Sequence, residues 1–165
     1  MIKFKKIRYK NFLSTGNIPI EVELDKSSTT LIVGSNGSGK STLLDALCYA
    51  LFNKPFRIIK KDQMVNTINN GDTLVEVEFE VGTNQYMIRR GIKPNLFEIY
   101  QNDKLLNQDA SSIDYQKYLE QNIMKLNYRS FIQVVILGSS AYEPFMKMKP
   151  RYRREVVEEI LDIRV

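Results

Sequence analysis

The sequence predicts an α/β fold. A mixed sheet carries a glycine-rich loop, helices flank it, and an antiparallel β meander lies to one side. Three observations point there. First, the β-branched run Thr29-Thr30-Leu31-Ile32-Val33 leads into Gly34-Ser35-Asn36-Gly37-Ser38-Gly39-Lys40-Ser41-Thr42. Ser41 to Phe52 then sets Leu43, Leu44, Leu47, Ala50 and Leu51 at helical spacing. Second, Thr73 to Val81 alternates Val75, Val77, Phe79 and Val81 with Glu76, Glu78 and Glu80. Turn signals at Gly82-Thr83-Asn84, Lys93-Pro94-Asn95 and Asn102-Asp103 then separate Gln85 to Arg90, Leu96 to Gln101 and Lys104 to Leu106. Third, Ile132 to Leu137 is an apolar run suited to a central strand beside Thr30 to Val33.

The first observation carries chemistry. Gly34 to Thr42 fits G-x-x-x-x-G-K-[ST], and strand, loop, helix is the context that motif requires. Glycines without a Cβ let the backbone turn left-handed and approach a phosphate, and the helix N-terminus adds about half a positive charge. The pattern assigns ATP to Asn36, Gly37, Ser38, Gly39, Lys40, Ser41 and Thr42, with Lys40 reaching the β- and γ-phosphates. The Ser41 hydroxyl is the expected ligand of Mg²⁺.

Composition bounds the alternatives. The 165 residues suit one domain with a core of its own, and the 43% hydrophobic and 26% charged content is globular. A net charge of +5 mildly favours a polyanionic partner. The chain has no histidine, which removes every His-based acid–base or metal scheme, and its one cysteine, Cys48, reads as a core thiol. No apolar run approaches a membrane span, and Met1 to Lys6 lacks the apolar core of a signal peptide, so a cytoplasmic, reducing setting is expected.

The remaining elements follow in order. Ile2 to Phe12 reads as a strand, and Ile18, Ile20, Val22 and Leu24 as a half-buried strand after the Gly16-Asn17 turn. Asn53 to Gly71 loses periodicity and turns basic at Arg57, Lys60 and Lys61. Ser111 or Ser112 caps a helix to about Leu126 with Ile113, Tyr115, Tyr118, Leu119 and Ile123 as its buried set. Pro150 opens a last helix with the stripe Val156, Val157, Ile160 and Leu161. Arg151, Arg153 and Arg154 crowd its first turn, where cations oppose the helix dipole. Local pairs Arg151–Glu155 and Arg154–Glu158, or an anionic partner surface, account for them. Gln133, an amide inside an apolar run, is either a structural hydrogen-bonder or a site residue. Arg57, Lys60, Lys61, Arg89, Arg90 and Lys93 are candidates for DNA backbone contacts, against the alternative of a solvated charge face.

Several stretches together resemble a known family. They are Lys10-Asn11-Phe12, GSNGSGKST, LLDAL, PFRIIKK, the Gln133 run and REVVEEIL, in that order. They are similar to the N-terminal ATPase lobe of the SbcC family, bacterial relatives of the Rad-fifty double-strand-break repair ATPases. Gly91 to Ile99 looks especially like its phage branch, the large subunits of recombination exonucleases. The resemblance implies half of an ABC-type head, with residues 1–149 as the ATPase lobe and 150–165 as the start of a helix entering a coiled coil. It also implies that Gln133 is the Q-loop residue helping to hold Mg²⁺ and water, so Lys40 and Gln133 are the catalytic candidates, and that the backbone around Val65 flanks the base. The implied partners are the chain's own C-terminal ATPase lobe, a second copy of the head in a homodimer, an Mre-eleven/SbcD-type nuclease subunit and double-stranded DNA. Leu13 stands where many relatives carry Arg. A Walker B acid, a signature motif and a switch histidine are missing from the sequence, so this chain alone is expected not to turn over ATP. The alternatives are a stand-alone nucleotide-binding switch or a RecF-type DNA-loading ATPase.

Overall fold

The computed structural model describes residues 2–106, 111–136 and 144–161. The strands are β1 (Ile2–Lys10), β2 (Ile20–Glu23), β3 (Thr73–Val81), β4 (Asn84–Ile92), β5 (Leu96–Gln101) and β6 (Lys104–Leu105). They form one six-stranded sheet in the order β2-β1-β3-β4-β5-β6, with every pair antiparallel. The helices are α1 (Lys40–Phe52), α2 (Ser112–Tyr118), α3 (Tyr128–Val134) and α4 (Pro150–Ile160), and α2 runs on as a π-helical turn through Leu119–Met124.

The pleat explains the sheet. Val75, Val77, Phe79, Ile88 and Ile99 point to one face and are buried. The opposite face carries rows of alternating sign. Lys6 pairs across to Glu21, Arg8 approaches Glu76, and Arg89 sits between Glu76 and Glu98. Helix α1 lies on the apolar face and is buried on all sides from Asp45 to Phe52, as a helix without a polar face must be. An aromatic chain ties the layers together. Phe12 packs on Tyr49 at 5.6 Å, and Phe131 on Phe52 at 5.0 Å and Phe4 at 6.0 Å.

The antiparallel meander is as expected; the two central strands are not. Thr30 to Val33 joins no sheet, and Leu31 and Val33 are 83% and 77% exposed. Ile132 to Val134 belongs to α3, not to a strand, and Leu137 lies outside the described residues. Among the described residues the sheet is therefore antiparallel rather than mixed. Periodicity reports that a segment is apolar but not whether a partner strand exists, and an unpaired strand leaves its backbone groups unmatched. Asn127 also decides the second case. Its side chain caps α3 by accepting from Ser130 N at 2.9 Å, a helix start hidden within an apolar stretch.

Two helix faces also differ from expectation. In α2 and its π turn the buried stripe is Tyr115, Leu119 and Ile123, four residues apart, which leaves Ile113 and Tyr118 outside. In α4 only Val156 of the expected stripe is buried. Glu155 accepts from Arg129 Nη1 at 3.0 Å and from Asn127 Nδ2, so it binds α3 and not Arg151.

Candidate nucleotide site

Gly39 caps α1 with φ +90°, and Gly37 has φ +84°; both are left-handed conformations that favour glycine. No side chain caps the helix, and among its first N–H groups Thr42 N donates to Gly39 O at 3.0 Å. A Cβ on Gly34 would meet Ser38 Oγ at 2.5 Å, so a larger residue there would have to turn the Ser38 hydroxyl aside. Lys40 Nζ donates to Gly34 O and Ser35 O at 2.7 Å each, which places its charge across the mouth of the loop. Asn36, Gly37, Ser38 and Ser41 are exposed, while Thr42 is buried beneath them. A triphosphate fits this cradle, with exposed N–H groups, one ammonium and the exposed Ser41 hydroxyl as a hard oxygen ligand suited to Mg²⁺.

Val65 is buried and forms an isolated antiparallel bridge with Phe12. Leu13 N donates to Met64 O at 2.7 Å, and Asn66 N to Asn11 O at 2.9 Å. Asn11 and Asn66 anchor this junction and were not legible as site residues. Asn66 Nδ2 donates to Leu13 O and Thr15 O, and its Oδ1 receives Ile68 N and Asn69 N. Asn11 Oδ1 accepts from Asn69 at 2.6 Å, and its Nδ2 donates to Asp72 O. A run of asparagines in a polar loop looks like turn chemistry; only the fold shows that Asn66 in it, and Asn11 just past β1, are buried and satisfied. Gln133 rides on α3, next to Ile132, and not on a strand.

The basic candidates divide. Arg57 donates through its backbone N and Nε to Asp45, a fully buried carboxylate on α1, at 2.9 and 2.7 Å. Arg89 is held by Glu76 and Glu98 at 2.7 and 2.8 Å. Arg90 is buried, stacks 3.7 Å over Phe97, and donates to Ala50 O at 2.9 Å and Gln116 Oε1 at 2.6 Å. Burial pulls the Arg90 guanidinium down to about 10, so it stays charged at neutral pH. Each of these three arginines is therefore already engaged within the protein, Arg57 and Arg89 by carboxylates and Arg90 by burial and neutral acceptors. Lys60, Lys61 and Lys93 remain exposed. Lys61 approaches Asn95 and Lys93 donates to Asn70, neutral partners that leave their charge unbalanced. Lys61 lines a cleft of about 740 Å³ whose lining also includes Lys54, Lys117 and Arg129. These last three come from distant segments, so no local run announced them.

A six-stranded sheet backed by a helix that starts on a glycine-rich loop has the fold of an SMC-like ABC ATPase head. An SMC ATPase chain, solved in work on ATP-driven dimerization and DNA-stimulated activation, superposes with a TM-score of 0.65 at 21% identity. The match covers 96% of this chain and 99% of that one. The Smc head domain of Pyrococcus furiosus, bound to the C-terminal domain of ScpA, gives 0.66 at 20% identity over 97% of this chain and 42% of that one. The chain belongs to the AAA domain family, whose profile matches residues 6–164, and within it to the SbcC/Rad50 group. It is 45% identical over 161 residues to exonuclease subunit 2 of Enterobacteria phage T4, covering 98% of this chain and 29% of that protein. It is 30% identical to the DNA double-strand break repair Rad50 ATPase of Thermoplasma volcanium, over 96% of this chain and 18% of that protein. The chain thus spans less than a third of the length of these relatives.

Proposed function

We propose that the chain is the ATP-binding N-terminal lobe of the ATPase subunit of a DNA-end-processing nuclease complex, acting in double-strand-break repair and recombination. The observation that carries this is the phosphate cradle on α1, with Gly37 and Gly39 left-handed and Lys40 across the loop, in a chain 45% identical to a phage exonuclease subunit. Lys40 and the N–H groups of residues 36–42 hold the phosphates, Ser41 and Gln133 ligate Mg²⁺, and the backbone at Val65 lies beside the base. Held by these residues, Mg²⁺ would supply neutralisation of the phosphate charge.

The exposed Leu31-Ile32-Val33 run, and separately the exposed Ile18 and Ile20 at the start of the edge strand β2, support a further lobe as partner, because bare apolar surface and an open sheet edge call for cover. That lobe is the C-terminal half of the same head. ATP then pairs two heads over duplex DNA and regulates an Mre-eleven/SbcD-type nuclease, and α4 leads into a coiled coil. Lys60, Lys61 and Lys93 contribute the contacts to DNA phosphates. Among the described residues, no helix is long and apolar enough to cross a membrane.

Lys40→Ala tests the central assignment. The variant is expected to weaken ATP binding by roughly 2–3 kcal/mol, the loss of a charge-assisted bond, measured by calorimetry with Mg²⁺. Equal affinity in both proteins refutes the site.

A further inference from the structure

We infer that Asp45 and Arg57 are a positioning pair that sets the base side of the nucleotide site against its phosphate side, an inference that rests on the ATP reading above. Asp45 lies on α1, five residues past Lys40, with none of its side chain exposed. It takes Arg57 N at 2.9 Å and Arg57 Nε at 2.7 Å, and Arg57 Nη2 closes on the same Oδ2. A buried carboxylate held by three donors of one residue fixes that residue's backbone and side chain together.

Arg57 begins an arm that is braced along its length. Ile59 N donates to Arg57 O, Gln63 N to Lys60 O, and Gln63 Oε1 accepts from Lys60 N. A 3₁₀ turn over Lys61–Met64 follows, and Val65 ends the arm on its bridge to Phe12. The arm therefore has two anchors: the helix that carries the phosphate cradle, and the Asn11–Leu13 segment. The first anchor ties the arm to the helix bearing Lys40 through a charged, directional contact, whereas the second reaches the same helix through the ring packing of Phe12 on Tyr49 at 5.6 Å. Loosening it leaves the cradle intact and lets the base wall shift. Misplacement on the order of an ångström is enough to cost binding geometry.

The pair therefore acts on ligands that have a base and not on ligands that are phosphate alone. Asp45→Asn and Arg57→Lys remove the charge or the fork while keeping polar groups in place. In the full chain, Asp45→Asn is expected to bind Mg·ATP about tenfold more weakly, and both variants to bind Mg·triphosphate (inorganic) within about twofold of wild type. Arg57→Lys, which keeps the charge, is expected to fall between Asp45→Asn and wild type. Leu47→Ala, adjusted by temperature to the same fraction folded, reports what simple loosening of α1 does; its ratio of ATP to triphosphate affinity should stay at the wild-type value. Equal weakening of both ligands in the Asp45 and Arg57 variants, or no weakening of either, overturns the inference. A wild-type chain that binds neither ligand removes the nucleotide reading itself, and the positioning role falls with it.

Discussion

Cys48 shows what burial does to a single group. It is a free thiol with no exposed surface, pushed up to about 12 by desolvation first and by the Asp45 carboxylate beside it second. Burial pushes the Tyr49 phenol up to about 12 as well. The sign of the linkage follows. In the unfolded chain the thiol ionises near its ordinary value of 9.0, whereas in the folded chain it stays protonated to about 12. Stability is then fully present below about pH 9 and is lost as pH rises towards 12. Chemical denaturation at stepped pH should show this decline, and Cys48→Ala should reduce its slope between pH 9 and 10. The same burial predicts that thiol reagents modify Cys48 only at the rate of unfolding, which a time course by mass spectrometry reads directly.

At the scale of elements, α1 shows how charge in a sequence can mislead. Arg90 and Gln116 reach its last turn: Arg90 Nε donates to Ala50 O and Gln116 Nε2 to Leu51 O, both at 2.9 Å. No basic residue of the helix occupies that turn, so a guanidinium from β4 supplies the cation that the negative end of the dipole favours. Arg90→Met should therefore cost about 2–4 kcal/mol in urea unfolding, through carbonyls left unpaired and packing lost over Phe97. The same substitution should leave the salt dependence of DNA binding unchanged. Lys60→Gln, Lys61→Gln and Lys93→Gln should each lower the slope of log K against log salt by about one without changing stability, as phosphate contacts do. A slope unmoved by all three removes DNA from this surface.

These elements also show what the sequence made legible. The phosphate loop could be read because its chemistry is local: Gly37, Gly39 and Lys40 act within one turn of chain. The meander could be read because Val75, Val77 and Phe79 alternate with glutamates, and turn residues separate the strands. Arg57, Arg89 and Arg90 could not, because the groups that claim them are distant in sequence: Asp45, Glu98 and Ala50. Ile132 to Val134 failed for a related reason. Ile132 packs against the core while Val134 is half exposed, and a short apolar run has the same pattern in a helix as in a strand.

At the scale of the whole molecule, the sheet has one face committed to the core and one to water. The watered face is self-neutralising, since its lysines and arginines meet glutamates across strands, and it offers DNA little net attraction. Attraction falls instead to Lys60, Lys61 and Lys93, which lie in the connections that flank the sheet's strands. The loop follows directly on the exposed Leu31–Val33 run, which joins no strand among the described residues. The 165-residue chain by itself is accordingly expected to bind ATP and not to turn it over. Steady-state phosphate release no greater than that of Lys40→Ala is the expected result. Restoring turnover by adding the C-terminal lobe as a separate chain is the companion result, and release above that blank without it would show a catalytic acid within this lobe.

The clamp at the far end of α1 has a mechanical consequence. Tyr49, Ala50 and Leu51 are pinned to β4 and α2, while the loop at the other end hangs on Lys40 and two carbonyls. A helix of 13 residues is about 20 Å long, and this one is buried from Asp45 to Phe52 with Asp45 already held by Arg57, so the freedom left to it lies in its first turn. A triphosphate that took the place of Gly34 O and Ser35 O as the partner of Lys40 would therefore rearrange the loop and that turn ahead of the Asp45–Arg57 contact.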